Sequence, residues 1–502
     1  MRALTAARRR EGLPDLGQVG AGRVARTASA NVAGRVAAIV LGIVTTAVVT
    51  RHLGVAGFAA FSYALAFGLL FAPLTDFGLN QAAVSQLARR RHPPEALVGS
   101  LLMLRLATGL LFAAGAAVIA LLTAPDRTVA VASVVACAGL VLSTPSAMQA
   151  VIQTAVRPGW AVVNVLVNSL VWLAVALALA LAGAGVVALV VGVVVAGALA
   201  SATQAALGLC LVHVGRPSRD AMRGLLRLCV PLGIGAIAAT VYYRIDAVLL
   251  YQLGSADDAG AYAAAYRLVD QVQFLPVAIV GAVFPMVAHA VGDPDRLRRY
   301  VHATWEVMAG LGLVLVAVGV AVAHPAAGVL FGPEFRDPTG RVLVVLWPVV
   351  LAIFMGYLAG ALVPALDLVR AWTVVVFAGA AVNVLLNLAL IPPLGGRGAA
   401  LATLATEFGV MAVTLRMALG RARLTLPVAR VGRMAGAAAL AGAAAGVAVV
   451  AARPGGDLAQ LAAGVAFGLA GYVAGLHAGR VLSVATLWRG LRHPRLALRE
   501  LG

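Results

Sequence analysis

Long apolar runs separated by short polar stretches recur along almost the whole chain, from about residue 29 to residue 479. The hydrocarbon core of a bilayer, about 30 Å thick, is crossed by an α-helix of roughly 20 apolar residues. By that length the runs predict fourteen spanning helices, near 29–50, 57–85, 98–122, 128–154, 160–182, 185–212, 228–251, 259–288, 302–323, 341–364, 371–391, 398–415, 431–451 and 458–479. The connections are short, and no soluble domain is inserted between them.

Composition agrees with the pattern. Of the 502 residues, 62% are hydrophobic and 11% charged, with a mean hydropathy of +0.98. A soluble domain carries about 25% charged and roughly 45–50% apolar residues, so the chain reads as an all-α integral membrane protein. A net charge of +19 would suit nucleic acid, but here the basic residues gather in short loops between apolar runs, the positive-inside pattern instead. No nucleic-acid partner is expected.

Every one of the 38 basic residues is arginine. With the N-terminus in the cytosol, 28 of them fall on the inner side. Only Arg51, Arg127, Arg336, Arg341, Arg397 and Arg453 fall on the outer side, while Arg35, Arg105, Arg244 and Arg267 lie within spans. This alternation predicts a multi-pass protein of the bacterial cytoplasmic membrane with both termini cytosolic. The first 26 residues hold six arginines and no apolar signal core, so the first apolar run is expected to be retained as a span. Cys137, Cys210 and Cys229 sit in apolar runs without paired spacing and read as small buried hydrophobes. The histidines show no ligand spacing, and neither a metal nor a cofactor is expected.

Two stretches repeat. AVVNVLVN at 161–168 and AAVNVLLN at 380–387 share six of eight positions, and a tryptophan precedes each, Trp160 and Trp372. LGVAGF after the first run likewise resembles LGSADDAGAY after the seventh. Two pairs in the same order imply that spans 1–6 and 7–12 are copies. Six is even, so both copies cross in the same sense, related by a pseudo-two-fold along the membrane normal. Transporters built in this way place their substrate between the copies. The predicted organisation is a basic segment at 1–28, an N-lobe at 29–212, a basic linker at 213–227, a C-lobe at 228–420, two further helices within 421–482 and a basic tail at 483–502.

TRHLGVAGFAAFSYALAF and DFGLNQAAVSQLAR within 50–89 resemble the opening of Wzx-type polysaccharide-repeat flippases. The similarity continues through RIDAVLLYQLG and GAYAAAYRLVD (244–270), VFPMVA (283–288), FGPEF (331–335) and NVLLNLALIPPLGGRGAALATLATE (383–407). These flippases belong to the MOP exporter superfamily, with the multidrug (MATE) exporters and the lipid II flippases. The resemblance implies two six-helix lobes in a V around a cavity that opens alternately to each side. It implies, as cargo, a polyprenyl-diphosphate-linked glycan moved from the inner to the outer leaflet. A polysaccharide polymerase or glycosyltransferases would be partners, and the protein is expected to be a monomer.

A charge at a helix centre costs about 2.5–3.5 kcal/mol on insertion scales, so charges inside the spans need partners or water. Arg244 and Asp246, in YYRID, are two residues apart, roughly 200° around a helix, and cannot satisfy each other. Arg267 and Asp270, three apart, can pair on one face. Glu306 is expected to snorkel to the inner edge. Asp76, in DFGLN, either caps a broken helix or takes part in transport. Glu407 is a cross-helix partner or a proton site. Guanidinium groups suit bidentate phosphate contacts, which makes Arg35, Arg105, Arg244 and Arg267 candidates for a diphosphate. Tyr242, Tyr243, Tyr262 and Tyr266 are candidates either for stacking on sugars or for anchoring at the interface. Asp76, Asp246, Asp270 and Glu407 are candidates for a coupling ion.

Other functions remain open at this level: a lipid II flippase, a multidrug exporter or a non-transporting scaffold. Arginine in the cavity opposes cationic drugs. A membrane glycosyltransferase or polymerase would need an acidic, metal-binding loop, and the predicted outer loops hold no such cluster.

Overall fold

The computed structural model describes residues 21–90, 92–154, 158–479 and 481. The basic leader up to residue 20 and the tail at 483–502 lie outside these residues. Among the described residues every regular element is a helix. In chain order these are α1 (Ala21–Asp76), α2 (Leu79–Arg89), α3 (Pro94–Thr123), α4 (Arg127–Leu142), α5 (Gln149–Thr154), α6 (Pro158–Leu181) and α7 (Val186–Leu209). The second half continues with α8 (Arg219–Leu253), α9 (Ala256–Val272), α10 (Phe274–Ala290), α11 (Pro294–Ala321), α12 (Ala323–Phe331), α13 (Arg336–Ala365), α14 (Val369–Leu394) and α15 (Gly396–Ala422). The last two are α16 (Val428–Ala451) and α17 (Gly456–Ala478).

Twelve helical stretches are long and apolar enough to cross a membrane, or thirteen when the bent α8 is counted. The sequence predicts fourteen. The difference lies in the first stretch, Ala33–Arg89, which runs for 57 residues. That is about 85 Å of helix at ~1.5 Å per residue, against a core of about 30 Å. The predicted spans 29–50 and 57–85 share this stretch, and Gly54 interrupts it with φ 66° and ψ −176°, a backbone state that glycine tolerates best. Two further breaks shape the bundle. Phe77 and Gly78, both at positive φ, separate α1 from α2. Within α8, Arg219–Val230 meets Gly235–Leu253 at a 49° bend, beside Pro231, which has no backbone N–H to give.

The neighbour pattern recurs between halves. In the first half α1 packs on α6, α4 on α7, and α6 on α7. In the second half α8 packs on α14, α13 on α15, and α14 on α15. Asn164 on α6 accepts a hydrogen bond from Thr203 on α7 at 2.8 Å, and Asn383 on α14 donates to Thr406 on α15 at 3.3 Å. The two asparagines occupy the same place in the repeated octapeptides. Helices α16 and α17 pack on each other and on α11, and Arg336 at the start of α13 holds Asp457 of α17 at 2.9 Å.

The halves meet where α1 lies against α8, α9 and α12. Phe58 and Phe335 pack edge to face at 6.0 Å, and Tyr63 lies against Tyr251 at 4.6 Å. Gln252 donates to the Tyr63 hydroxyl at 2.7 Å, and Arg51 donates to the Val329 carbonyl at 2.6 Å. At Gly260 an added Cβ would fall 2.2 Å from the Val55 carbonyl oxygen, so α9 reaches α1 this closely only because residue 260 has no side chain. These contacts cluster at the end of the bundle that carries Arg51. Of the cysteines expected to be buried, Cys137 and Cys229 are, whereas Cys210, at the C-terminal end of α7, is exposed.

Candidate functional site

A cavity of about 390 Å³ lies between the halves. Leu69, Ala72 and Pro73 of α1 form one wall. Ala239, Thr240, Tyr243 and Arg244 of α8 face them, with Tyr266 and Asp270 of α9, Gln273 and Tyr357 completing the lining. The bend in α8 and the break after Asp76 both lie on the same side of this cavity in sequence, away from the sealed Arg51 end.

Arg244 and Asp270 face each other at 3.7 Å across α8 and α9. This corrects the expected pairing of Asp270 with Arg267 on its own helix. The separation is a charge contact, too long for a hydrogen bond, so the guanidinium keeps donors for the cavity. Its side chain is 38% exposed and that of Asp270 25%. Arg267 is exposed one turn away, within Coulombic reach of both. Arg35, exposed on α1, lies within Coulombic reach of Tyr357. Arg244 is the guanidinium that lines the cavity, while Arg267 and Arg35 stand outside its lining and the carboxylates Asp246 and Glu407 are about as near, so the charges around it are mixed.

Asp246, two residues on from Arg244, turns away from the cavity. It is 4% exposed, accepts a hydrogen bond from the Tyr262 hydroxyl and another from the Ala247 amide at 2.7 Å. The Tyr262 hydroxyl also lies 3.2 Å from the Thr403 hydroxyl. On α14, Asn387 donates to both the backbone and side-chain oxygens of Asn383, at 2.9 and 3.0 Å. The YYRID stretch thus serves two environments: the arginine a cavity, the aspartate a buried polar cluster spanning α8, α9 and α15. Tyr266 stacks at a tilt on Tyr262, 5.7 Å between rings, and forms part of the cavity wall.

The remaining candidates lie elsewhere. Asp76 does not cap α2, whose N-cap is Gly78 without a side-chain bond; it forms an ion pair with Arg105 of α3. Neither residue lines the cavity described above, and beside the pair Thr108 donates to the Thr75 carbonyl at 2.6 Å. Glu306 does not simply snorkel, since Arg430 of α16 holds it at 3.0 Å. Glu407 has no ion pair among the described residues and lines a second chamber of about 470 Å³ within the second half, together with Tyr242 and Tyr243. Among the described residues no cluster of three or more His, Cys, Asp or Glu could hold a metal ion.

A family profile described as "Polysaccharide biosynthesis protein" matches residues 24–291, more than half of the 502-residue chain. The chain belongs to the polysaccharide biosynthesis protein family. A MatE profile also matches residues 231–389 of this family member, and the fold is that of the MOP superfamily. It is similar to the lipid II flippase MurJ in its inward closed conformation, with TM-score 0.77 and 11% identity, over 89% of this chain and 98% of that one. An inward-facing multidrug-resistance MATE transporter aligns with TM-score 0.64 and 14% identity, over 79% and 98% of the two chains. A MOP-superfamily transporter from Pyrococcus furiosus, described as having a binding pocket of reverse polarity, aligns with TM-score 0.52 and 13% identity, over 80% and 97%. No curated protein matches by sequence.

Several residues of this polysaccharide biosynthesis protein family member escape sequence reasoning. Gln273 and Tyr357 line the cavity, and Thr403, Thr406, Asn383 and Asn387 build the buried polar region. The asparagines stand out in sequence only as marks of repetition. Two polar amides four apart in an otherwise apolar run carry a chemical signal as well, because each must find a partner inside the bilayer.

Proposed function

We propose that this protein carries a polyprenyl-diphosphate-linked oligosaccharide from the cytosolic to the outer leaflet by alternating access, serving surface-polysaccharide assembly. The observation that supports this most is the incompletely satisfied Arg244 in the wall of a cavity between the halves, its guanidinium 3.7 Å from the Asp270 carboxylate. Such a site attracts an anion. A diphosphate offers two groups that a planar guanidinium engages bidentately, and Asp270 holds Arg244 in place until cargo arrives. Tyr243 and Tyr266 flank the charges and provide faces on which sugars stack.

Coupling is assigned to the buried carboxylates. Asp246, in its cluster of hydroxyls, and Glu407, in its chamber, sit where exchange of a proton or a small cation would change the packing of α8 against α9 and α15. Asp76 and Arg105 form a structural pair in the first half. The multidrug alternative is disfavoured, because a cationic drug in the cavity would meet the Arg244 guanidinium. The proposal specifies a diphosphate-linked lipid and no particular sugar; lipid II shares that linkage. Reconstituted vesicles loaded with labelled polyprenyl-diphosphate oligosaccharide test it: label should become accessible at the opposite leaflet with the protein present. Vesicles in which it does not, while the protein is folded and correctly inserted, would refute it.

A further inference from the structure

The chamber beside Glu407 poses its own question. It adjoins the arginine cavity, and the two share Ala239, Tyr243 and Tyr357. Its lining is mostly aliphatic and aromatic, and along α13 it runs from Ile353 to Pro364, a rise of about 17 Å at ~1.5 Å per residue. At about 470 Å³ it falls within the range of small-molecule sites, roughly 300–1,000 Å³. A void that long and that narrow suits a chain more than a compact ligand.

Gly356 and Gly360 decide what the chamber is for. Four residues apart, they lie on one face of α13, and in membrane helices such a small-xxx-small pair ordinarily marks where a second helix packs closely. Here no helix comes near: a Cβ added at either position would meet nothing within 4 Å. The glycines widen the chamber. At its far end Phe284 and Trp372, each 36% exposed, mark a mouth between α10 and α14.

We propose that this chamber holds the isoprenoid chain of the cargo, next to the diphosphate bound at Arg244. The inference rests on the head-group reading above and adds the place of the apolar part. Tyr243 and Tyr357 stand at the junction, where the lipid changes from charged to apolar. Burying chain surface there contributes to affinity in proportion to the area removed from water, and the apolar walls spare the cargo an energetic penalty that the charged cavity alone would impose. Glu407 and the neighbouring Tyr242 hydroxyl are the chief polar interruptions of the lining.

The test compares two probes by native mass spectrometry of the full-length, detergent-solubilised protein: geranyl diphosphate and a polyprenyl diphosphate of membrane length. Gly356→Leu and Gly360→Leu fill the chamber from α13, and leucine is the better helix former, so the helix is retained. Long-chain affinity should fall roughly tenfold or more, with geranyl diphosphate binding unchanged, which also shows that the variants fold. Wild-type affinity for the long chain in both variants would overturn the proposal, as would equal loss of both probes. Arg244→Ala separates the two readings. If it leaves both probes unaffected while the leucine variants still discriminate chain length, the head-group assignment fails and the chamber stands. If instead tetraphenylphosphonium occupies the chamber, and Glu407→Gln abolishes that binding without touching the long chain, the chamber is a cation site and the proposal falls.

Discussion

Arg244 and Asp246 show how much one residue's depth and direction matter. The two side chains leave α8 roughly 200° apart, and the fold gives each a different use. Arg244→Ala should nearly abolish transport in reconstituted vesicles while the protein stays folded, and Arg244→Lys should retain part of the rate, because the charge remains and the fork is lost. Normal transport by Arg244→Ala would remove it from the cargo site. Asp246 is held differently, by Tyr262 from the neighbouring helix. Tyr262→Phe should therefore cost about 1–3 kcal/mol of stability, the penalty for leaving a buried acceptor short of a donor. Thermal unfolding of Tyr262→Phe, Asp246→Asn and the double variant checks this: the effects should be non-additive, and simple additivity would mean the bond contributes nothing.

At the scale of the helices, much was legible in the sequence. Apolar length placed nearly every spanning helix, because lipid forces the backbone to satisfy itself, and only the continuous stretch through Gly54 blurred the count. Residue spacing showed correctly that Arg244 and Asp246 could not pair. It failed for Asp270, because spacing along α9 says nothing about what α8 brings across from it. The same limit hid the Asp76–Arg105 and Glu306–Arg430 pairs, each joining residues far apart in the chain. Topology remains testable element by element. Reporters fused after Arg299 should be cytosolic and those after Asp258 or Asp337 external; a cytosolic Asp258 would invert the scheme. Spans 1–6 should also superpose on 7–12 by rotation about the membrane normal, bringing Asn164 onto Asn383. Their matched bonds to Thr203 and Thr406 give that expectation its physical basis. An inverted relation would contradict it.

For the whole molecule, the proposed alternating access makes the contacts at the Arg51 end and the cavity beyond it one of two states, the one expected to open toward the cytosol. Joining cysteines at Phe58 and Phe335 with a short bifunctional reagent, in a background without Cys137, Cys210 and Cys229, should arrest transport and leave the cavity reachable by thiol reagents from the cytosolic side only. Continued transport by the cross-linked protein would show that this seam need not part. Gly260 gives the same seam an adjustable balance. A methyl group there would press on the Val55 carbonyl in this arrangement, and on the alternating-access reading proposed above it burdens the shut state and spares the parted one. Each ~1.4 kcal/mol so added shifts the ratio of shut to parted molecules about tenfold. The side chain at position 260 would then act as a graded dial on resting population, from glycine through alanine to serine, without altering any group that touches cargo.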